Sequence, residues 1–148
     1  MSTSRNCWPV LAQKAQGRAD ECRQVVNQAW SGVQKAHNHW VSVQRMVAEY
    51  TQRYNQAQRN SHTINDSLNF REFLGQLQTL AVKAEQDMLQ AKISHQRAQQ
   101  ALAKAEHEVR KMNKLCELEV ARAEQREKRQ EQSQMDELAV MRHHWRHA

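Results

Sequence analysis

Between residues 59 and 69 the chain reads RNSHTINDSLN, the one stretch dense in Asn, Ser, Thr and Asp. Those short polar side chains bond to nearby backbone and compete with helical hydrogen bonding, so the stretch predicts a turn. Upstream of it, apolar or small residues recur at alternating spacings of four and three: Trp8, Ala12, Ala15, Ala19, Cys22, Val26, Ala29, Val33, Ala36, Trp40, Val43, Val47, Tyr50, Tyr54 and Ala57. No charge interrupts that run. A 3.5-residue period sustained for about seven heptads keeps one seam facing a partner, which is the pattern of a coiled coil. The predicted first helix covers about residues 9–58, with Pro9 in its first turn, where a missing N–H costs nothing.

Downstream, a second stripe runs Phe70, Leu74, Leu77, Ala81, Ala84, Met88, Ala91, His95, Ala98, Leu102, Ala105, Val109, Met112 and Cys116. Only His95 is polar, and a single polar seam residue serves to fix register. The predicted second helix covers about residues 70–142. Asn69 is a candidate cap with Glu72 reaching back to it, and Leu68 can pack on Phe73 as a hydrophobic staple. With the turn centred near residue 64, an antiparallel hairpin sets residue i beside residue 128 − i, so that Ala12 meets Cys116. The two stripes then begin and end at the same levels. That agreement predicts a single all-α domain over residues 1–148, an antiparallel two-helix coiled coil whose paired part is about 70 Å long.

From about residue 117 the apolar period fades into ELEVARAEQREKRQEQ, where charges of both signs sit three and four apart, as on an unpaired helix wetted all round. Met135, Leu138, Met141 and Trp145 then return along one flank. An apolar flank beyond the hairpin calls for another surface. A second surplus lies at the start of the second helix, where Phe73 and Leu80 accompany Phe70, Leu74 and Leu77. The apolar face there is wider than one opposing helix can cover. Either Ile64 and Leu68 fold over it, or it is a docking face with Phe73 as its aromatic anchor.

Composition narrows the function classes. The 148 residues include three Gly and one Pro, too little turn chemistry for a many-stranded fold, and twenty Gln and eighteen Ala, which favour or tolerate helix. Mean hydropathy is −0.96, and no apolar run approaches the ~20 residues of a spanning helix. The N-terminal stretch MSTSRNCWPVLAQ lacks a basic flank followed by an apolar stretch, so a cytosolic protein is expected. Cys7, Cys22 and Cys116 are odd in number, far apart, and without metal-ligand spacing, which suits small apolar fillers rather than a disulfide framework.

The chemistry-bearing side chains form no catalytic constellation. His143 and His147 stand one turn apart, but a metal needs a third or fourth ligand and none is near in sequence. There is no Gly-rich phosphate loop and no nucleophile with a base at informative spacing, and two helices offer no concave site. The reading is therefore no enzyme, no cofactor and no small-molecule substrate. A net charge of +6 raises nucleic acid as a partner, and residues 1–65 hold eight Lys and Arg against three Asp and Glu. Those cations are spread over many turns without the dense cluster of a DNA-reading basic region. The expected partners are proteins, met by a scattered positive flank, with a basic nucleic-acid-binding coiled coil as the alternative.

One family carries these features in the same order. EYTQRYNQ at 49–56, a polar turn with Ile64-Asn65, NFREFLGQLQTLA at 69–81 and QSQMDELA at 132–139 resemble the flagellar export protein FliJ family of the type III export apparatus, over about residues 10–141. The resemblance implies a two-helix coiled coil similar to the central stalk of rotary ATPases. It implies a stalk that joins the hexameric export ATPase to the cytoplasmic domain of the membrane export gate, promotes ATPase ring assembly and escorts export chaperones. It also implies a cytoplasmic location, peripheral to the inner membrane. The family's gate-binding surface maps onto Phe73, Leu77, Leu80 and Ala84, the positions surplus to the seam; Ala84 stands where relatives can carry a larger, His-type side chain. The ATPase-contacting end maps to the terminal end, near Trp8 and the overhang, with Met135, Leu138, Met141 and Trp145 as its contact residues. The equivalent stalk of a virulence injectisome is the closest alternative.

Overall fold

The computed structural model describes residues 7–60 and 64–147. It consists of two helices packed against each other, α1 (Cys7–Arg59) and α2 (Ile64–His147), with no strand among the described residues. The fold is the antiparallel α-hairpin coiled coil that the two stripes predict. Contacts group into two units, one formed by the chain up to Ala19 with Lys104 onward, the other by Asp20–Ala103.

The seam is built from the stripe residues. In the first unit Ala15 and Ala19 are buried; in the second, Val33, Val43, Leu77, Ala84, Met88 and Ala98 are. Every one belongs to a predicted stripe. Small residues dominate because only a few side-chain atoms fit where two helices approach closely. Val43 is fully enclosed, at 0% exposure. No buried polar or charged residue occurs among the described residues. Trp40 lies at the margin of the seam, its indole N–H buried without a hydrogen-bond partner. His95, the one polar stripe residue, is half-buried with its ring 5.3 Å from that of Trp30.

Two details of the turn differ from the sequence reading. Helix α2 begins at Ile64 rather than near residue 70, so Asn69 sits inside the helix and cannot cap it. Asp66 lies in the first turn instead, where its charge is favourable beside the unpaired N–H groups of the helix start. The helix aversion of Asn, Ser and Asp amounts to only about 0.7 kcal/mol per residue or less, which a long cooperative helix absorbs. Ser61, His62 and Thr63, inside the predicted turn, lie outside the described residues.

The shorter turn moves the register. Ring contacts of Tyr50 with Phe73, Tyr54 with Phe70 and Trp30 with His95 set residue i beside residues near 124 − i within Asp20–Ala103, not 128 − i. The correction is one helical turn, which returns each stripe to the same face. The overhang also begins later than residue 117: Glu119 and Ala123 are half-buried, and every residue from Glu124 to His147 is exposed. Helix α2 continues through His147, with His144, Arg146 and His147 complementing the negative end of its dipole.

Gly32 lies within α1 beside the seam, and a Cβ placed there would meet nothing within 4 Å. Its backbone is helical, so alanine fits without strain. Gly32→Ala is expected to stabilise the protein by about 0.5–1 kcal/mol, raising the midpoint of a circular-dichroism melt by roughly 2–4 °C. A lowered midpoint contradicts open space around Gly32.

Candidate functional site

Two exposed apolar surfaces lie outside the seam, one in each unit. The first occupies the turn-proximal end of the Asp20–Ala103 unit. Phe73 and Leu80, one heptad apart on α2, are 40% and 39% exposed. Leu77 and Ala84, between and beyond them, are 6% and 2% exposed. The sequence mapping grouped these four as surplus to the seam. The structure corrects that grouping: Leu77 and Ala84 hold inward heptad positions and face α1, whereas Phe73 and Leu80 flank them. Ile64 and Leu68 do not fold over this face, since they are 80% and 55% exposed themselves.

Phe73 is held in place by aromatic neighbours that pattern reading assigned only to the seam. Its ring centroid lies 4.7 Å from that of Tyr50, tilted by 55°, and the Arg53 guanidinium sits 5.5 Å from the Tyr50 centroid. One turn nearer the helix ends, Tyr54 and Phe70 pair at 6.3 Å. The Tyr54 hydroxyl accepts hydrogen bonds from Gln58 Nε2 at 2.6 Å and from Arg71 at 3.4 Å. Tyr50, Asn69, Phe70 and Phe73 together line a shallow groove. A braced ring loses little rotamer freedom on binding, so more of its burial appears as affinity. The signal that could have revealed this cluster is the i, i+4 spacing of Tyr50 and Tyr54 opposite Phe70 and Phe73, legible only once the register is known.

The second surface lies on the bare end of α2. Met135, Leu138, Met141 and Trp145 are 67%, 55%, 61% and 84% exposed. Leu138, Met141 and Trp145 line one groove with Arg142 and Arg146, while Met135 lines a neighbouring one with Leu138, His143 and His147. At the start of this flank Gln132 Nε2 donates a hydrogen bond to Asp136 Oδ1 at 3.1 Å. The His143 and His147 rings meet edge to face at 4.4 Å, yet no group of three or more His, Cys, Asp or Glu suited to a metal occurs among the described residues.

No described helix is long and apolar enough to cross a membrane. A hairpin with a braced aromatic face and a bare apolar end fits the expected grouping, and comparison with family models decides it: the model of the flagellar FliJ protein matches residues 9–147. The chain belongs to the flagellar FliJ protein family. As a member of the FliJ family it is a structural component of the flagellar export apparatus. Comparisons with curated proteins and with solved structures return no match. The FliJ match spans both helices and both exposed surfaces.

Proposed function

We propose that this chain is the stalk of the flagellar export apparatus, joining the hexameric export ATPase to the cytoplasmic domain of the membrane export gate. On this reading it works in the cytoplasm at the inner membrane, promotes assembly of the ATPase ring and escorts export chaperones. Its task is mechanical, and it needs no cofactor and catalyses no step. The observation that carries the reading is the exposed, aromatic-braced Phe73 with Leu80 beside it, outside a seam that is otherwise complete. A monomeric hairpin has no use for that surface, whereas an exposed large ring held against a second ring is the make-up of a binding hot spot.

The gate contact narrows to Phe73 and Leu80. Leu77 and Ala84 support it from beneath by setting the spacing of the two helices. The ATPase contact falls on Met135, Leu138, Met141 and Trp145, apolar side chains that one bare helix leaves in water. Their burial in a ring would return about 25 cal/mol for each Å² removed from water. The polar sides of the helices carry mixed charge, which keeps the stalk soluble and free to shift against a ring lining.

Removal of residues 133–148 tests the ATPase half of this reading. The truncated chain keeps every buried seam residue, so its helical melt is expected to stay within about 2 °C of the full chain. Its stimulation of the export ATPase is expected to fall at least tenfold at equal concentration, about 1.4 kcal/mol of contact energy. Full stimulation by the truncated chain contradicts the assignment.

A further inference from the structure

The end of α2 is exposed from Glu124 to His147, and its charges are sorted along the chain. Glu131, Asp136 and Glu137 precede the middle of the apolar flank, with no Lys or Arg between Arg129 and Arg142. Arg142, His143, His144, Arg146 and His147 follow, with no Asp or Glu between Glu137 and Ala148. Two of these charges share the flank itself. Glu131 stands four residues before Met135 and seven before Leu138, spacings that return to the same side of a helix. Arg146 lines both grooves of the flank together with Leu138.

A flank with acid in one half and base in the other complements its own reverse. Turning a second copy about a two-fold axis near residue 140 sets Met135 beside Trp145 and Leu138 beside Met141. The same alignment brings Glu131 within two or three residues of Arg146 of the second copy along one side, and Glu137 within two of His144 along the other. A stagger of three residues is about 4.5 Å, within reach of these side chains. Symmetry forms each pairing twice. The apolar spacing and the order of charges are separate features of the sequence, and both select the same axis.

We propose that the exposed end of α2 pairs antiparallel with the same segment of a second copy of this chain. In a parallel pair Glu131 would face Glu131 and Arg146 would face Arg146, so the charges favour the reversed arrangement. A partner of a single charge sign would meet like charge over half of the flank. The apolar patch is only four side chains, Met135, Leu138, Met141 and Trp145, so the pairing belongs with small, reversible interfaces. The proposal does not rest on the ATPase contact, although it uses the same four side chains: a tail closed on its copy has none left for a ring.

Sedimentation of the full chain, loaded from about 5 to 200 µM, is expected to show a monomer–dimer equilibrium. Trp145→Ala is expected to weaken association at least tenfold, and Glu131→Arg and Arg146→Glu each at least fivefold. The double variant Glu131→Arg with Arg146→Glu is expected to return to within about twofold of the unmodified chain, because each reversed charge again faces its opposite. All three residues are exposed, so circular-dichroism melts should stay near that of the unmodified chain. A monomer throughout the range, a dimer indifferent to Trp145→Ala or to both single charge reversals, or a double variant as weak as the single ones overturns the proposal. No ATPase is present in these runs, so their failure leaves the ATPase reading standing, and failure of that reading leaves the pairing standing.

Discussion

Val43→Asp is expected to lower the melting midpoint by roughly 10 °C or more, the largest effect expected of a single substitution in the seam. Val43 has no exposed surface and sits in the seam among other stripe residues. The substitution removes the apolar contact and brings in a carboxylate with no cation to meet it, because no buried charged residue occurs among the described residues. A buried, unpaired charge is among the few single changes that cost about 3–5 kcal/mol, a large part of the roughly 5–15 kcal/mol that holds a domain together. A two-helix seam has no second layer to absorb the loss. Val25→Asp provides the comparison: Val25 is 52% exposed in the same helix, and its midpoint is expected to move by no more than about 2 °C. Equal melting of the two variants contradicts the assignment of Val43 to the seam.

Phe73→Ala is expected to weaken binding to the purified cytoplasmic domain of the export gate about thirtyfold, which corresponds to roughly 2 kcal/mol at an aromatic hot spot. The substitution also removes a ring contact with Tyr50, worth about 0.5–1.5 kcal/mol, so the melt should shift by only a few degrees while helicity stays intact. Leu77→Ala separates docking from support. Leu77 is 6% exposed, so its truncation is expected to cost about 2–5 kcal/mol of stability, and any loss of binding should follow the loss of folded protein. Calorimetric titration below the melting range of both variants distinguishes these outcomes. Gate affinity unchanged by Phe73→Ala removes the docking assignment.

Much of this fold was legible because its core is one-dimensional. A seam of two helices repeats a single pattern, so fifteen positions without a charge before the turn and fourteen with one histidine after it specify the architecture. Among the described residues, all eight buried apolar ones fall on those positions. Register was less legible. It depends on where a few short polar residues stop being helical, a choice decided by small propensity differences, and the start of α2 at Ile64 moved the pairing by one turn. The candidate site inherited that uncertainty. Phe73 and Leu80 stood out as apolar residues beyond the seam, whereas Leu77 and Ala84, grouped with them by the family mapping, already held stripe positions, and burial places them in the seam. The bracing of Phe73 by Tyr50 depends on a contact across the hairpin that no periodicity encodes. The extent of the bare helix was approximate for a similar reason, because the charge pattern changes gradually between Glu117 and Glu124 while exposure becomes complete only from Glu124.

The central claim is that one chain folds back so that α1 lies antiparallel against α2. Electron–electron double resonance between spin labels at Ser42 and Val82, both exposed and beside each other in the observed register, tests it directly. The labels go onto a chain with Cys7, Cys22 and Cys116 replaced by alanine, diluted into unlabelled protein. Helix axes about 8–10 Å apart, with the reach of two label arms, predict one narrow distance below roughly 30 Å that persists on dilution. A distance near 60 Å, the span of the same residues along one unbroken helix, or a short distance that vanishes on dilution, contradicts the hairpin.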